Sequence, residues 1–132
     1  MASMKSIKRF SDDSHKHRHV RVIQAWVILV GKAKCNRTIT YTELSELMLG
    51  KKAPRSKSMR LGHLYTYCEQ RNLPRLPAIV VEKGTRKPAP DAPYDRNTVS
   101  DEIANVFAFN WYDILPPTEA DLDDLTQNRK LS

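Results

Sequence analysis

The chain is poor in the residues that mark catalysts, secreted scaffolds and membrane spans. It holds 2 cysteines and 4 glycines in 132 residues. Cys35 and Cys68 form no Cys-x-x-Cys spacing and have no second pair, which argues against a disulfide framework and a thiolate metal cluster. Both are expected as inert, reduced thiols, with Cys68 on the apolar face of a helix. The sequence contains no Gly-x-Gly-x-x-Gly, Walker loop, His-Glu-x-x-His or Gly-x-Ser-x-Gly. Phosphate-cradle, zincin and serine-hydrolase chemistries therefore have no residues to rest on. No apolar run approaches membrane-spanning length, and the amino terminus lacks the uninterrupted apolar stretch of a secretory signal. A single soluble, cytoplasmic, non-catalytic domain is expected, with no cofactor, no metal and no membrane partner.

Acid is the scarce charge over the first two thirds of the chain. Residues 1–87 carry 19 Lys and Arg against 6 Asp and Glu, whereas residues 88–132 carry 3 against 9. A basic lobe of this kind raises association rates with polyanions and supplies the salt-dependent part of nucleic-acid affinity. The acidic end is suited to screening that lobe or to solubilising the chain.

Periodicity divides the basic lobe into elements. Val22, Ile23, Trp26, Val27 and Val30 recur at helical spacing and predict a buried helix over 20–30 that stops at Gly31, although the β-branched content leaves a strand open. Thr40 and Glu43 form a capping-box pattern ahead of Leu44, Leu47 and Met48, with Gly50 as a left-handed stop. In the run 55–72, Leu61, Leu64, Tyr65 and Cys68 predict the core face of a second helix. The opposite face then carries Met59, Gly62, His63, Thr66 and Gln70, with Arg60, Tyr67 and Arg71 towards a rim. Arg55, Ser56, Lys57 and Ser58 would make a donor-rich leading turn, the part of a recognition helix that meets bases and phosphates. Residues 78–82 predict a strand, 83–85 a turn and Arg86-Lys87 the returning arm, a hairpin wing with Lys83, Arg86 and Lys87 at its tip. Beyond Pro88, Pro90 and Pro93, a short helix is expected over 98–105. A strand is expected over 106–112, with Phe107, Phe109 and Trp111 on one face.

This order of elements is that of a small α+β winged helix-turn-helix. It predicts a basic, unstructured arm over 1–16, the folded domain over 17–115, and an acidic segment over 116–132 whose helix carries Leu122 and Leu125 on one side.

The segments Ile39-Thr-Tyr-Thr-Glu-Leu-Ser-Glu-Leu47, Leu61-Gly62 and Asn72-Leu-Pro-Arg-Leu-Pro-Ala-Ile-Val-Val81, with the turn at Gly84, resemble the DNA-binding domain of alkylguanine-DNA alkyltransferases and their alkyltransferase-like relatives. The resemblance covers roughly residues 20–88 of this chain. It implies a winged-helix way of docking on DNA, with Tyr41 at the position of the tyrosine that touches the phosphate backbone beside a flipped nucleotide. The departures remove the family's reaction. Met59 stands where the arginine finger belongs, with Arg60 one place later, and Pro77-Ala78-Ile79-Val80 replaces the Pro-Cys-His-Arg motif. Alkyl transfer needs a thiolate activated by a histidine, so the resemblance implies docking without chemistry.

Tyr41, Arg55, Ser56, Lys57, Arg60, His63, Lys83, Arg86 and Lys87 are the expected DNA-binding residues, and double-stranded DNA is the expected partner. The run His15-Lys-His-Arg-His19 alternates imidazoles with cations and has no carboxylate or thiolate at ligand spacing. It reads as a basic arm rather than a metal site. The competing function is a protein-interaction adaptor that uses the same scaffold and docks through Leu122 and Leu125, because a fold does not determine what its surface binds.

Overall fold

Helix α1 (Arg18–Lys34) is the platform on which the rest of the chain assembles. Val22, Ala25, Trp26, Leu29 and Ala33 fall on one stripe and are all buried, the i, i+3, i+4, i+7 pattern of a core-facing helix. The helix runs through Gly31 and stops only after Lys34. Asn36 takes a left-handed φ of 56°, its N–H donates to the Ala33 carbonyl, and the Arg37 N–H reaches back to the Lys32 carbonyl at 3.0 Å. That pair of bonds closes a helix end when the residue past the cap turns left-handed, a conformation asparagine tolerates better than most residues. The predicted stop at Gly31 is therefore corrected, since one glycine inside a well-packed stripe costs only about 1 kcal/mol.

The computed structural model describes residues 18–51, 60–90 and 92–124. The arm expected over 1–16, together with Arg55, Ser56, Lys57, Met59 and Leu125, lies outside the described residues. After α1 come strand β1 (Ile39–Thr40), helix α2 (Tyr41–Leu49), helix α3 (Leu61–Gln70), a 3-10 turn (Leu76–Ile79) and strand β2 (Val80–Val81). Helix α4 (Val99–Ala108), a second 3-10 turn (Trp111–Asp113) and a helical segment over 119–124 complete the order. The molecule is a small α+β domain, mostly helical, with one two-stranded parallel sheet that pairs Ile39 with Val80 and Thr40 with Val81. All four strand residues are buried, as the covered faces of a parallel pair require. Among the described residues no helix is long and apolar enough to cross a membrane.

The capping of α2 follows the sequence closely. Glu43 N–H donates to Thr40 Oγ1 at 3.1 Å, the Glu43 carboxylate accepts from Thr40 N–H at 2.9 Å, and Gly50 ends the helix at φ 74°. Its buried face is Tyr41, Leu44, Ser45 and Met48, whereas Leu47, expected inside, is 58% exposed. Helix α3 differs more. It begins at Leu61, after Arg60 in a left-handed conformation, so its first turn is not the donor-rich run 55–58. Its buried stripe is His63, Leu64, Tyr67 and Cys68. The core therefore claims His63 and Tyr67, which were expected on the outer face and rim, and leaves Tyr65 half-buried. Asn72, with φ 57°, closes α3 as Asn36 closes α1, and Leu73 N–H donates to the Cys68 carbonyl at 2.9 Å.

Of the two predicted strands, the one over 78–82 is present but shortened and pairs differently, and the one over 106–112 is overturned. Residues 76–79 form a 3-10 turn with a proline near its start, which leaves only Val80 and Val81 extended, and β2 runs parallel to β1 rather than into a hairpin. The following turn is closed by Glu82 N–H to the Lys87 carbonyl at 2.8 Å, but the described chain forms no returning strand. Pro88 arrives immediately after the closure, has no N–H to give to a ladder, and restricts the residue before it. Residues 106–112 do not form a strand either. Helix α4 continues to Ala108, and Trp111 folds back so that its Nε1 donates to the Val106 carbonyl at 2.8 Å, satisfying an acceptor left open in the last helical turn. Trp111 is fully buried, edge-on to Trp26 at 5.4 Å and beside Phe109 at 4.6 Å, so these aromatics close the core from a helix end and turn.

Within the acidic segment, the described residues up to 124 also fold inward. Leu122 is fully buried in the common core, Asp121 pairs with Arg71 of α3 at 3.2 Å, and Asp123 approaches His19 of α1 at 3.3 Å. Leu122 is thus spent on the domain's own packing and is not offered to a partner.

Candidate nucleic-acid interface

Beyond the carboxyl ends of the parallel strands, the chain passes from β1 into α2 and from β2 into the 83–87 turn, which brings the start of α2 beside that turn. Glu43 records the result. Its carboxyl is held below the ordinary range first by the Thr40 N–H bond, partly opposed by burial, and then by the Thr40 hydroxyl and the charges of Lys32 and Arg86. Lys32 from the last turn of α1 and Arg86 from the turn thus both contribute favourable charge to one carboxylate at the start of α2. Lys83, Arg86 and Lys87 are all exposed, and Arg86 sits at φ 59°, which turns the backbone sharply and keeps the three cations on a short, closed loop. The loop is braced by the Thr85 hydroxyl, which accepts from Lys87 N–H at 3.2 Å.

Lys32 was not singled out from the sequence, nor were Lys34 and Arg37, both exposed near the end of α1. The available signal was the basic last turn of that helix, Lys32 and Lys34. Lys34 also stacks over the exposed ring of Tyr112 at 5.4 Å.

Comparison with protein-family models, curated proteins and solved structures returns no match.

The remaining nominated residues divide by placement. Tyr41 is buried, and its hydroxyl accepts from Ala89 N–H at 3.0 Å, which ties the proline-rich loop onto the start of α2. His63 is buried beside His19. Arg60 is exposed at the start of α3. Between Arg60 and Arg71 the solvent side of α3 offers Gly62, Glu69 and Gln70 and no cation, and the Thr66 hydroxyl is turned back onto the Gly62 carbonyl at 3.0 Å. A helix with this face is poorly equipped to read bases with charged forks.

The two thiols differ in their surroundings. Cys68 is fully buried, and burial pushes its thiol up to about 11, which suppresses the thiolate at neutral pH. Cys35 is exposed in the loop after α1. The segment Pro77-Ala78-Ile79-Val80 is buried throughout.

Proposed function

We propose that this domain binds double-stranded DNA without chemical turnover, as a regulator or accessory factor, and that phosphate contacts dominate its affinity. The observation that carries the reading is the exposed cations Lys83, Arg86 and Lys87 on one closed turn after β2, inside a lobe of 19 basic and 6 acidic side chains. Spaced cations on a rigid rim suit a phosphate backbone, which carries a charge at short intervals along the duplex. In this reading the 83–87 loop takes the place of a wing and α3 lies beside the groove, a winged-helix-like docking with little base readout. The resemblance to alkyltransferase-like proteins extends the reading to duplexes that carry a modified guanine.

A salt titration of binding to duplex DNA, single-stranded DNA and RNA tests it. With about four phosphates contacted, log K falls against log salt with a slope of roughly −3 to −4 on duplex, and the double variant Lys83→Glu/Arg86→Glu flattens that slope. Absence of binding at low salt, or a slope unchanged by the double reversal, would overturn the proposal and leave the adaptor function as the better account.

A further inference from the structure

DNA docking leaves the outer side of α1 without a role. Over residues 22–31 this helix carries no charged side chain, and a helix that is apolar all round ordinarily lies inside a protein. Val22, Ala25, Trp26 and Leu29 do meet the core, yet Val27 is 54% exposed and Ile23 is only partly covered. A Cβ added at Gly31 would meet nothing within 4 Å among the described residues. Ile23, Val27 and Gly31 stand four residues apart, which makes them one ridge of the kind that packs against a second helix. Within one copy Gly31 supplies neither a close approach nor the left-handed turn that ends α1, which falls to Asn36.

We infer that this ridge is an interface between two copies of the chain, with their α1 helices packed antiparallel about a two-fold axis at Val27. A two-fold contact requires a patch that complements itself, and α1 meets that requirement in length, shape and charge. Val27 stands near the middle of the 17-residue helix, so antiparallel pairing there overlaps most of its length. The same pairing sets Ile23 of each copy over Gly31 of the other, bulk against a gap at both ends of the ridge. With about 3.6 residues per turn, His19 and Lys34 fall on one flank of the ridge and Arg21 and Lys32 on the other. Such an axis keeps each flank on its own side, so the Lys34 end of one copy comes beside the His19 end of its mate. Unlike charges meet there. Asp123 Oδ1 lies 3.3 Å from His19 Nδ1, and Asp124 is exposed beside it, while Lys34 rests over the Tyr112 ring at 5.4 Å. Tyr112, itself 68% exposed, extends the apolar surface at that end. On the opposite flank Arg21 donates to Gln24 Oε1 and to the Met48 carbonyl, each at 2.9 Å, and so is engaged within its own copy.

The inference stands apart from DNA binding, and its test uses the full chain without nucleic acid. Sedimentation equilibrium across the micromolar range should show a monomer–dimer equilibrium that weakens as salt rises. Val27→Glu, which places a charge in the contact, should weaken the dimer by about tenfold or more. Gly31→Leu should do the same by filling the gap that receives Ile23. Both positions are open in the single copy, so both variants should keep native helix content by circular dichroism. Should either lose it, a cross-link decides. Val27→Cys in a Cys35→Ser background, oxidised with glutathione disulfide, should give a covalent dimer, whereas Glu69→Cys in the same background, on the exposed side of α3, should give none. The inference is overturned by a single monomeric species across the concentration range, by full dimer affinity in a folded Val27→Glu or Gly31→Leu variant, or by equal cross-linking from the two cysteine positions. A monomer that still binds duplex DNA would overturn it and leave the DNA reading standing.

Discussion

Tyr41 shows how one side chain can look functional in sequence and carry a packing task in the fold. Its hydroxyl accepts from Ala89 N–H at 3.0 Å, so Tyr41→Phe leaves a buried donor unanswered and should cost about 1–3 kcal/mol. Urea denaturation measures that loss, and the salt slope of DNA binding should stay as in the wild type. Cys68 makes a second residue-scale prediction through its pH dependence. Burial raises the folded thiol from an ordinary 9.0 to about 11, so the unfolded chain gives up its proton first as pH rises. The contribution to stability is full below pH 9.0, is lost as pH climbs through the folded value near 11, and disappears in Cys68→Ala. The difference between the two proteins' stability-pH curves over that window reads it out, and a constant difference would mean that the thiol is solvated. The same burial predicts no transferred alkyl group after incubation with alkylated-guanine DNA, and intact-protein mass would reveal one.

At the scale of elements, α2 is the unit whose local chemistry is most complete. Thr40→Ala removes one half of the reciprocal cap and should lower stability by about 0.5–2 kcal/mol. Glu43 adds a pH term of opposite hand to that of Cys68. Its folded carboxyl is depressed, chiefly by the Thr40 N–H bond, so its contribution is present above the ordinary glutamate range and is lost as pH falls through the lowered folded value. Glu43→Gln should therefore flatten the acid limb of the stability curve, and an unchanged limb would show that the bond is absent in solution. Both ends of this helix were legible in sequence because capping depends on residues within one turn of each other. The buried stripe of α3 was not. Leu61, Leu64, Tyr65 and Cys68 and the observed His63, Leu64, Tyr67 and Cys68 differ by a modest rotation about the axis, and α1 with its neighbours decides which rotation buries more. The wing failed for a related reason. An apolar run followed by a turn is compatible with a hairpin or a parallel pair, and the choice went to β1, already held at the end of α1.

For the molecule as a whole, the described part of the acidic segment, up to residue 124, packs on the domain through Leu122. Leu122→Ala should cost about 2–5 kcal/mol, measured by chemical denaturation. Asp121→Asn, which removes a largely exposed ion pair with Arg71, should cost no more than about 1 kcal/mol. If the leucine proved as neutral as the aspartate, the segment would not be docked in solution. This docking also places opposite charge against α1 and α3, so the two electrical halves of the chain meet in space instead of forming separate ends.

What the sequence determined by itself was local or additive. The capping box at Thr40 and Glu43, the stop at Gly50, the apolar stripe of α1 and the excess of cations over residues 1–87 are all readable without a partner segment, because each depends on neighbours within a few residues or on a sum. The tertiary structure decided everything that requires two distant segments to meet. It set the parallel register of Ile39 with Val80 and the turning inward of His63 and Tyr41. It also set the meeting of His19 with His63 and Asp123, residues separated by 44 and 104 positions along the chain. Contacts over such distances are selected by which combination buries the most apolar surface without stranding polar groups, and that is a property of the assembled core, carried by no single stretch of the chain.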